Sequence, residues 1–221
     1  MKRLKYILPI LIFATMIGCK KDHLDSEGVS KTTYFPDLQM SGDVVETTIV
    51  GTPYTDPGAK AFANNQEIPV TITGSVDANT PGAYVLTYTA KNKDGYAASL
   101  SRIVGVIKSE VLTDDFTGSY QRNAGAQGTA KWTKVKDGVY LDSDVGGANV
   151  NGWVYVINIK KGIVVVPHQP FAGSGSDTHC ENGDGTLEIP FTFGPVGSIC
   201  YKWVVINSGY GTALRQFVRT K

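Results

Sequence analysis

Apolar and polar positions alternate with a period of two along most of this chain. No window carries the three-to-four spacing of a helical stripe. Residues 83–90, "AYVLTYTA", show the alternation best: Tyr84, Leu86, Tyr88 and Ala90 fall on one face, Thr87 and Thr89 on the other. Pro81-Gly82 precedes this strand, Asn92-Lys93-Asp94-Gly95 follows as a turn, and residues 100–107, "LSRIVGVI", read as its hairpin partner. Residues 44–52 and 70–76 are further strand candidates, with a turn at Asp56-Pro57-Gly58 between them. Regular short strands with turn signals predict a sandwich.

From Val111 onward the texture changes. "AKWTKVKDGVYLDSDVGGAN", "GWVYVINIKKGIVVV", "GTLEIPFTFG" and "YKWVVINSG" read as strands punctuated by Lys-Asp-Gly, Lys-Lys-Gly and Gly-Asp-Gly turns. The expected solution is an antiparallel barrel or sandwich, making the whole chain all-β. In the segment 153–159, Trp153, Tyr155, Ile157 and Ile159 share a face opposite Val154 and Val156. Both faces are apolar, which predicts a central strand covered on each side. The closing segment 213–219 must pair with a neighbour, so the C-terminus is expected to be ordered.

The front of the chain does not fit this pattern. Lys2, Arg3 and Lys5 precede an uncharged apolar run over residues 7–17. That run is shorter than the ~20 apolar residues a membrane-spanning helix needs. A basic start, a short apolar centre and a small residue before the break make a secretory signal. Met16-Ile17-Gly18-Cys19 resembles the lipobox of bacterial lipoproteins, with Met16 where that family usually has leucine. The resemblance implies cleavage after residue 18, lipid (palmitate among the fatty chains) on the Cys19 thiol, and anchoring at the outer membrane. Lys20-Lys21-Asp22 is loosely similar to the charged tags that direct Bacteroidota lipoproteins to the cell surface, which is the expected location, with the periplasmic face of the outer membrane as the alternative. Residues 19–32 are polar and aperiodic, and read as a lipidated flexible tether.

Cleavage after residue 18 would leave 203 residues with 18 basic and 20 acidic side chains, a net charge of −2. That balance supplies no basic field for nucleic acid. The length suits two domains of roughly 100 residues each. Lys108-Ser109-Glu110 is a polar break, so the expected division is 33–108 and 109–221.

The first of these segments resembles a known family. Tyr54-x-Asp56-Pro57-Gly58-Ala59, Gly74-x-Val76-Asp77, Pro81-Gly82-x-Tyr84, Tyr88-x-Ala90 and Arg102-x-Val104-x-Val106 occur in order. This set is similar to the immunoglobulin-like (Ig-like) domain of bacterial surface lipoproteins, also found in a pesticidal crystal protein. The resemblance implies a β-sandwich acting as a spacer, without catalysis. Read as physics, Asp56-Pro57-Gly58 sets a turn, Asp77 caps a loop and the tyrosines supply core area. The second segment, through "GSYQRN" and "DGVYLDSDVGG", is similar to the C-terminal β domains of unassigned function in Bacteroidota lipoproteins linked to glycan uptake.

Chemistry-bearing patterns are sparse. Cys180 and Cys200 form an even pair in an exported chain and are a disulfide candidate, which would tie the polar loop at 167–186 to a strand near Ile199. Asp177, His179, Cys180, Glu181 and Asp184 lie in that loop. No paired metal-ligand spacing accompanies them, and His23, His168 and His179 are scattered, so no metal site is expected. Asp142-Ser143-Asp144 begins like a calcium loop, but Gly146 stands where a third oxygen ligand belongs, and a tight turn at Gly146-Gly147 fits better. No G-x-S-x-G elbow, H-E-x-x-H or phosphate-cradling glycine loop is present, and Asp114-Asp115 reads as a strand start or turn. The chain is therefore expected to be non-enzymatic and to need no cofactor.

Aromatic side chains remain as the functional signal. Trp153 and Trp203 are expected in the core. Trp132, flanked by Lys131 and Lys134, is the first candidate for an exposed platform that stacks on sugar rings, with Tyr120, Tyr140, Phe171 and Tyr210 behind it. The expected function is a surface lipoprotein that binds a glycan or assists nutrient uptake. The alternative is an adhesive or structural role against an exported protein partner.

Overall fold

The computed structural model describes residues 32–125, 127–150, 152–171, 175–186 and 199–220. The expectations for the signal segment and Cys19 concern residues outside this set, as does most of the strand expected from "GTLEIPFTFG". Among the described residues no helix is long and apolar enough to cross a membrane.

Seven strands build the first half: β1 (Asp37–Met40), β2 (Val45–Ile49), β3 (Ala59–Ala63), β4 (Gln66–Ile68), β5 (Val70–Thr73), β6 (Gly82–Lys91) and β7 (Ala97–Ile107). They form a sheet ordered β1-β3-β4 and a second ordered β2-β7-β6-β5, an Ig-like sandwich. The hairpin read from "AYVLTYTA" and "LSRIVGVI" is β6–β7, with Tyr84 opposite Val104 and Leu86 opposite Arg102. Leu86, Tyr88 and Val104 are buried between the sheets, with Leu38, Met40, Tyr54 and Val76 packed on them. Asp77 accepts from the Asn79 amide (2.9 Å) and the Thr80 hydroxyl (2.7 Å), so it does close its own loop. Gly74 at the entry to that loop has φ +94°, and a Cβ there would lie 2.3 Å from the Val85 carbonyl oxygen, which restricts the position to glycine.

A 3₁₀ turn (Ser109–Thr113) leads into nine further strands: β8 (Gly118–Arg122), β9 (Thr129–Lys136), β10 (Val139–Asp142), β11 (Val154–Lys160), β12 (Ile163–Val165), β13 (Gln169–Pro170), β14 (Asp177–Thr186), β15 (Cys200–Ile206) and β16 (Leu214–Arg219). They make one antiparallel sheet ordered β12-β11-β10-β9-β8-β16-β15-β14-β13. The C-terminal strand β16 joins the two meanders by pairing with both β15 and β8. The sheet curls into a half-barrel, bringing β14 back toward the end of β12, where the Cys180 amide donates to the Val166 carbonyl at 3.0 Å. Its concave face encloses Trp132, Tyr120, Tyr140, Tyr201, Trp203 and Phe217, all fully buried.

β11 is covered on both sides, as its two apolar faces predict. Val154 and Val156 enter the half-barrel core. Ile157 and Ile159 enter a separate cluster with Val45, Ile103 and Ile107 from the sandwich and Val111 from the 3₁₀ turn. This second cluster joins the two halves: Lys108 N donates to Ile159 O at 2.9 Å, and Lys136 Nζ bonds Asp43 Oδ2 at 2.6 Å and the Val45 carbonyl at 2.9 Å. The break at 108–110 is a packed joint.

Two expectations are corrected. The region 167–186, read as a polar loop, is largely the hairpin β13–β14, in which Gln169 pairs Thr178 and Pro170 pairs Asp177. Its polar, glycine-rich sequence suits the edge of a sheet and hides the pairing. Cys180 and Cys200 are not joined. Cys180 stands opposite Val205 and Cys200 opposite Thr186. Five residues of extended strand, roughly 16 Å, separate those levels of β15, far beyond the ~7 Å Cα limit for a disulfide.

Candidate functional site

Four of the five platform candidates, Trp132, Tyr120, Tyr140 and Phe171, are buried, and Tyr210 is half-buried against the same core. Trp132 is 0% exposed, stacked on Trp203 (centroids 5.8 Å, planes 14° apart) and close to Tyr201 (4.6 Å). β9 alternates strictly at this point, so Ala130 and Trp132 point inward while Lys131 and Thr133 point outward. The flanking Lys131 marks the opposite face and says nothing of the ring. Tyr120 is buried with its hydroxyl on the Phe116 carbonyl (2.6 Å), and Tyr140 is buried with its hydroxyl on the Asp114 carbonyl (2.8 Å). Burial pushes the Tyr140 phenol up to about 12. Phe171 occupies the space beside Gly152, where a Cβ would lie 1.8 Å from its Cζ. Tyr210 lies against Gly146 and carries Arg215 over its ring at 5.1 Å. None of these five offers an open aromatic face.

Trp153 does. It is 45% exposed, although its sequence context predicted burial. The reason lies in the register of β11 against the sandwich. Along the face shared by residues 159, 157, 155 and 153, cover fades toward the front: Ile157 is fully covered, Tyr155 is partly covered and packed on the shared cluster, and Trp153 is outside that cluster and half-exposed. Tyr155 meets the Trp153 ring edge-to-face at 5.5 Å and 80°.

Trp153 and Tyr155 form one wall of a groove of about 380 Å³ between the half-barrel and the sandwich. Met40, Val44, Leu100 and Ile103 line it from the sandwich; Ser99, Ser101, His168 and Gln169 supply polar atoms. The volume is within the ~300–1,000 Å³ range of small-molecule sites. Gln169 is structural: it accepts from the Tyr155 amide (2.7 Å) and donates to the carbonyls of Tyr155 (2.8 Å) and Pro167 (3.3 Å). It thereby ties β13 to the backbone of β11 at Tyr155.

The groove runs into a smaller recess of about 300 Å³ lined by Thr87, Ser101, His168 and Asp177. Beside it two of the scattered histidines, His168 and His179, meet. Nδ1 of His168 lies 2.8 Å from Asp177 Oδ2, and the His168 and His179 rings stack with centroids 3.8 Å apart. Nothing in the sequence reveals this meeting, because it depends on the unrecognised β13–β14 hairpin. The tight turn read at Gly146-Gly147 forms directly after Asp144: Gly147 N donates to the Asp144 carbonyl (2.9 Å), and the Asp144 carboxylate accepts from the amides of Ala148 (3.1 Å) and Asn149 (2.6 Å). Asp114 likewise serves structure, accepting from Asn158 Nδ2 at 2.9 Å.

No curated protein matches this chain. Among solved structures, a lipoprotein from Bacteroides thetaiotaomicron is similar at 23% identity, over 84% of this chain and 100% of that one, with a TM-score of 0.37. Residues 38–106, the span of the seven-stranded sandwich, match the family model described as "Bacterial surface protein, Ig-like domain".

Proposed function

We propose that the chain is a non-catalytic lipoprotein of the outer-membrane surface, anchored through Cys19, and that its Trp153 groove binds a glycan in support of nutrient uptake. The observation that carries the glycan reading is the half-exposed Trp153 ring beside Tyr155 in a groove edged by serine hydroxyls and His168. A flat aromatic face stacks on the apolar face of a pyranose ring, and the surrounding polar groups bond its hydroxyls. Exposed Val44 and Leu100 beside the tryptophan favour the second reading, an adhesive contact with an exported protein.

A glycan array probed with the full chain in mild detergent separates the two. Sugar binding that Trp153→Ala abolishes supports the glycan site. Absence of sugar binding, or binding that survives this change, rules it out and leaves the protein contact. For the anchor, radioactive palmitate should label the wild-type chain and not Cys19→Ala.

A further inference from the structure

We propose that His168, Asp177 and His179 form a binding site for one divalent transition-metal ion beside the groove. The inference stands on hairpin geometry. β13 pairs with β14 so that Gln169 faces Thr178 and Pro170 faces Asp177. Continuing that antiparallel register by one residue sets His168 opposite His179. Asp177 is two residues before His179 and so lies on the same face of β14. Two imidazoles and a carboxylate therefore converge on one point, with a donor atom from each within 4.8 Å of the others.

Hydrogen bonding inside the protein accounts for only part of this cluster. His168 Nδ1 is matched to Asp177 Oδ2 at 2.8 Å. His179 Nδ1 faces the same oxygen from 3.7 Å, is enclosed, and has no hydrogen-bond partner among the described residues. A cation between the two rings and the carboxylate would satisfy that nitrogen. Tetrahedral donors at zinc–nitrogen bond lengths lie about 3.3 Å apart. His168 and Asp177 are 63% and 60% exposed, so rotation of free side chains can close the remaining gap. Next along the same face, Glu181 Oε1 lies 3.9 Å from His179 Nε2. A carboxylate behind a ligating histidine is the usual outer partner that orients the ring and raises its basicity.

The donor set selects the ion class. Imidazole nitrogens suit zinc, copper, nickel and iron, whereas calcium and magnesium take oxygen ligands. Three protein ligands leave coordination positions open. The adjoining recess with Thr87 and Ser101 gives those positions room for water or a ligand oxygen.

The test is calorimetric titration of ZnCl₂ into the chelator-stripped full chain in mild detergent, with visible absorption of bound Co²⁺ as a second readout. One ion per chain is expected. His168→Ala, Asp177→Asn and His179→Ala should each weaken binding at least about tenfold, and Glu181→Gln about tenfold. His23→Ala and Trp153→Ala should leave it unchanged, which keeps this site distinct from the glycan reading. No stoichiometric binding, or binding that survives His168→Ala, overturns the proposal. His168 is exposed enough that its removal leaves the fold intact, and a thermal melt verifies this.

Discussion

Arg102 Nη1 lies 2.6 Å from Asp56 Oδ1 inside the sandwich, where the guanidinium is fully buried. The Tyr88 hydroxyl donates to the same Asp56 oxygen at 2.7 Å, and the Tyr88 ring lies under the guanidinium at 5.6 Å. Tyr54 donates to Glu46 Oε2 at 2.6 Å and accepts from Arg102 at 3.4 Å. Arg102 also bonds the Ser41 carbonyl. One buried cation thus ties β7 to the Asp56 turn and to β6. Removing it strands two carboxylates against an apolar core. Arg102→Met should cost about 3–5 kcal/mol in urea denaturation. Arg102→Lys should recover little, because a point charge cannot reproduce the guanidinium fork. A loss below about 1 kcal/mol for both changes would show that the network contributes nothing net.

That network also marks what the sequence could disclose. Tyr54, Asp56, Tyr88 and Arg102 are all visible as motif positions, and the hairpin pattern of β6 and β7 is strong. Their meeting point is not visible, because it joins residues up to 48 positions apart. The same limit explains the functional site. Period-two patterning assigns a residue to a face of its strand, and it did so correctly for β11. Whether that face is covered depends on how far the opposing sheet extends. Local context alone therefore reverses the roles of Trp153 and Trp132. The histidine cluster was hidden for a related reason: β13 is two residues long and polar, too short to register as a strand.

The two tryptophans should separate stability from binding. Trp132→Ala opens a cavity among Trp203, Tyr201 and Tyr120, and should cost about 3–5 kcal/mol. Trp153→Ala removes a half-exposed ring at the sheet edge and should cost less than about 1 kcal/mol. Chemical denaturation of both variants checks this. Comparable losses would mean that Trp153 is part of the core.

Gly105 on β7 reports on the joint between sandwich and half-barrel. A Cβ there would lie 2.8 Å from Ile157 Cγ2 and 3.3 Å from Thr47 Cγ2. Gly105→Ala should overpack the shared cluster and cost about 1–3 kcal/mol. Ile157→Ala, which removes the Cγ2 methyl that the new Cβ would meet, should alone cost about 2–5 kcal/mol. Combined, the two should cost less than their sum, because the second makes room for the first. Strict additivity in the double-mutant cycle would show that the two residues do not share a contact.

Asp142 gives the fold a pH signature. It is fully buried at the end of β10, and burial pushes its carboxyl up to about 7. The Asp144 amide, 2.9 Å from Oδ1, pulls the other way, as do the Trp132 and Tyr201 donors that face it. An unfolded aspartate titrates near ~3.9. Between pH ~4 and ~7 the native chain therefore holds a proton that the unfolded chain releases. Stability from this group is greatest below pH ~4, falls as pH rises through the window, and levels off above ~7, a total loss on the order of 4 kcal/mol. Asp43, Asp77 and Asp115 behave oppositely. Lys136, Thr80 and Thr117 respectively hold them below the ordinary value, so their contribution fades only at acid pH, outside this window. Asp142→Asn removes the titrating group while keeping its size. Its stability relative to wild type should therefore rise between pH 5 and pH 8 in urea denaturation series, because only the wild type loses stability over that range. Parallel profiles for the two proteins would mean that Asp142 is ionised in the native state throughout.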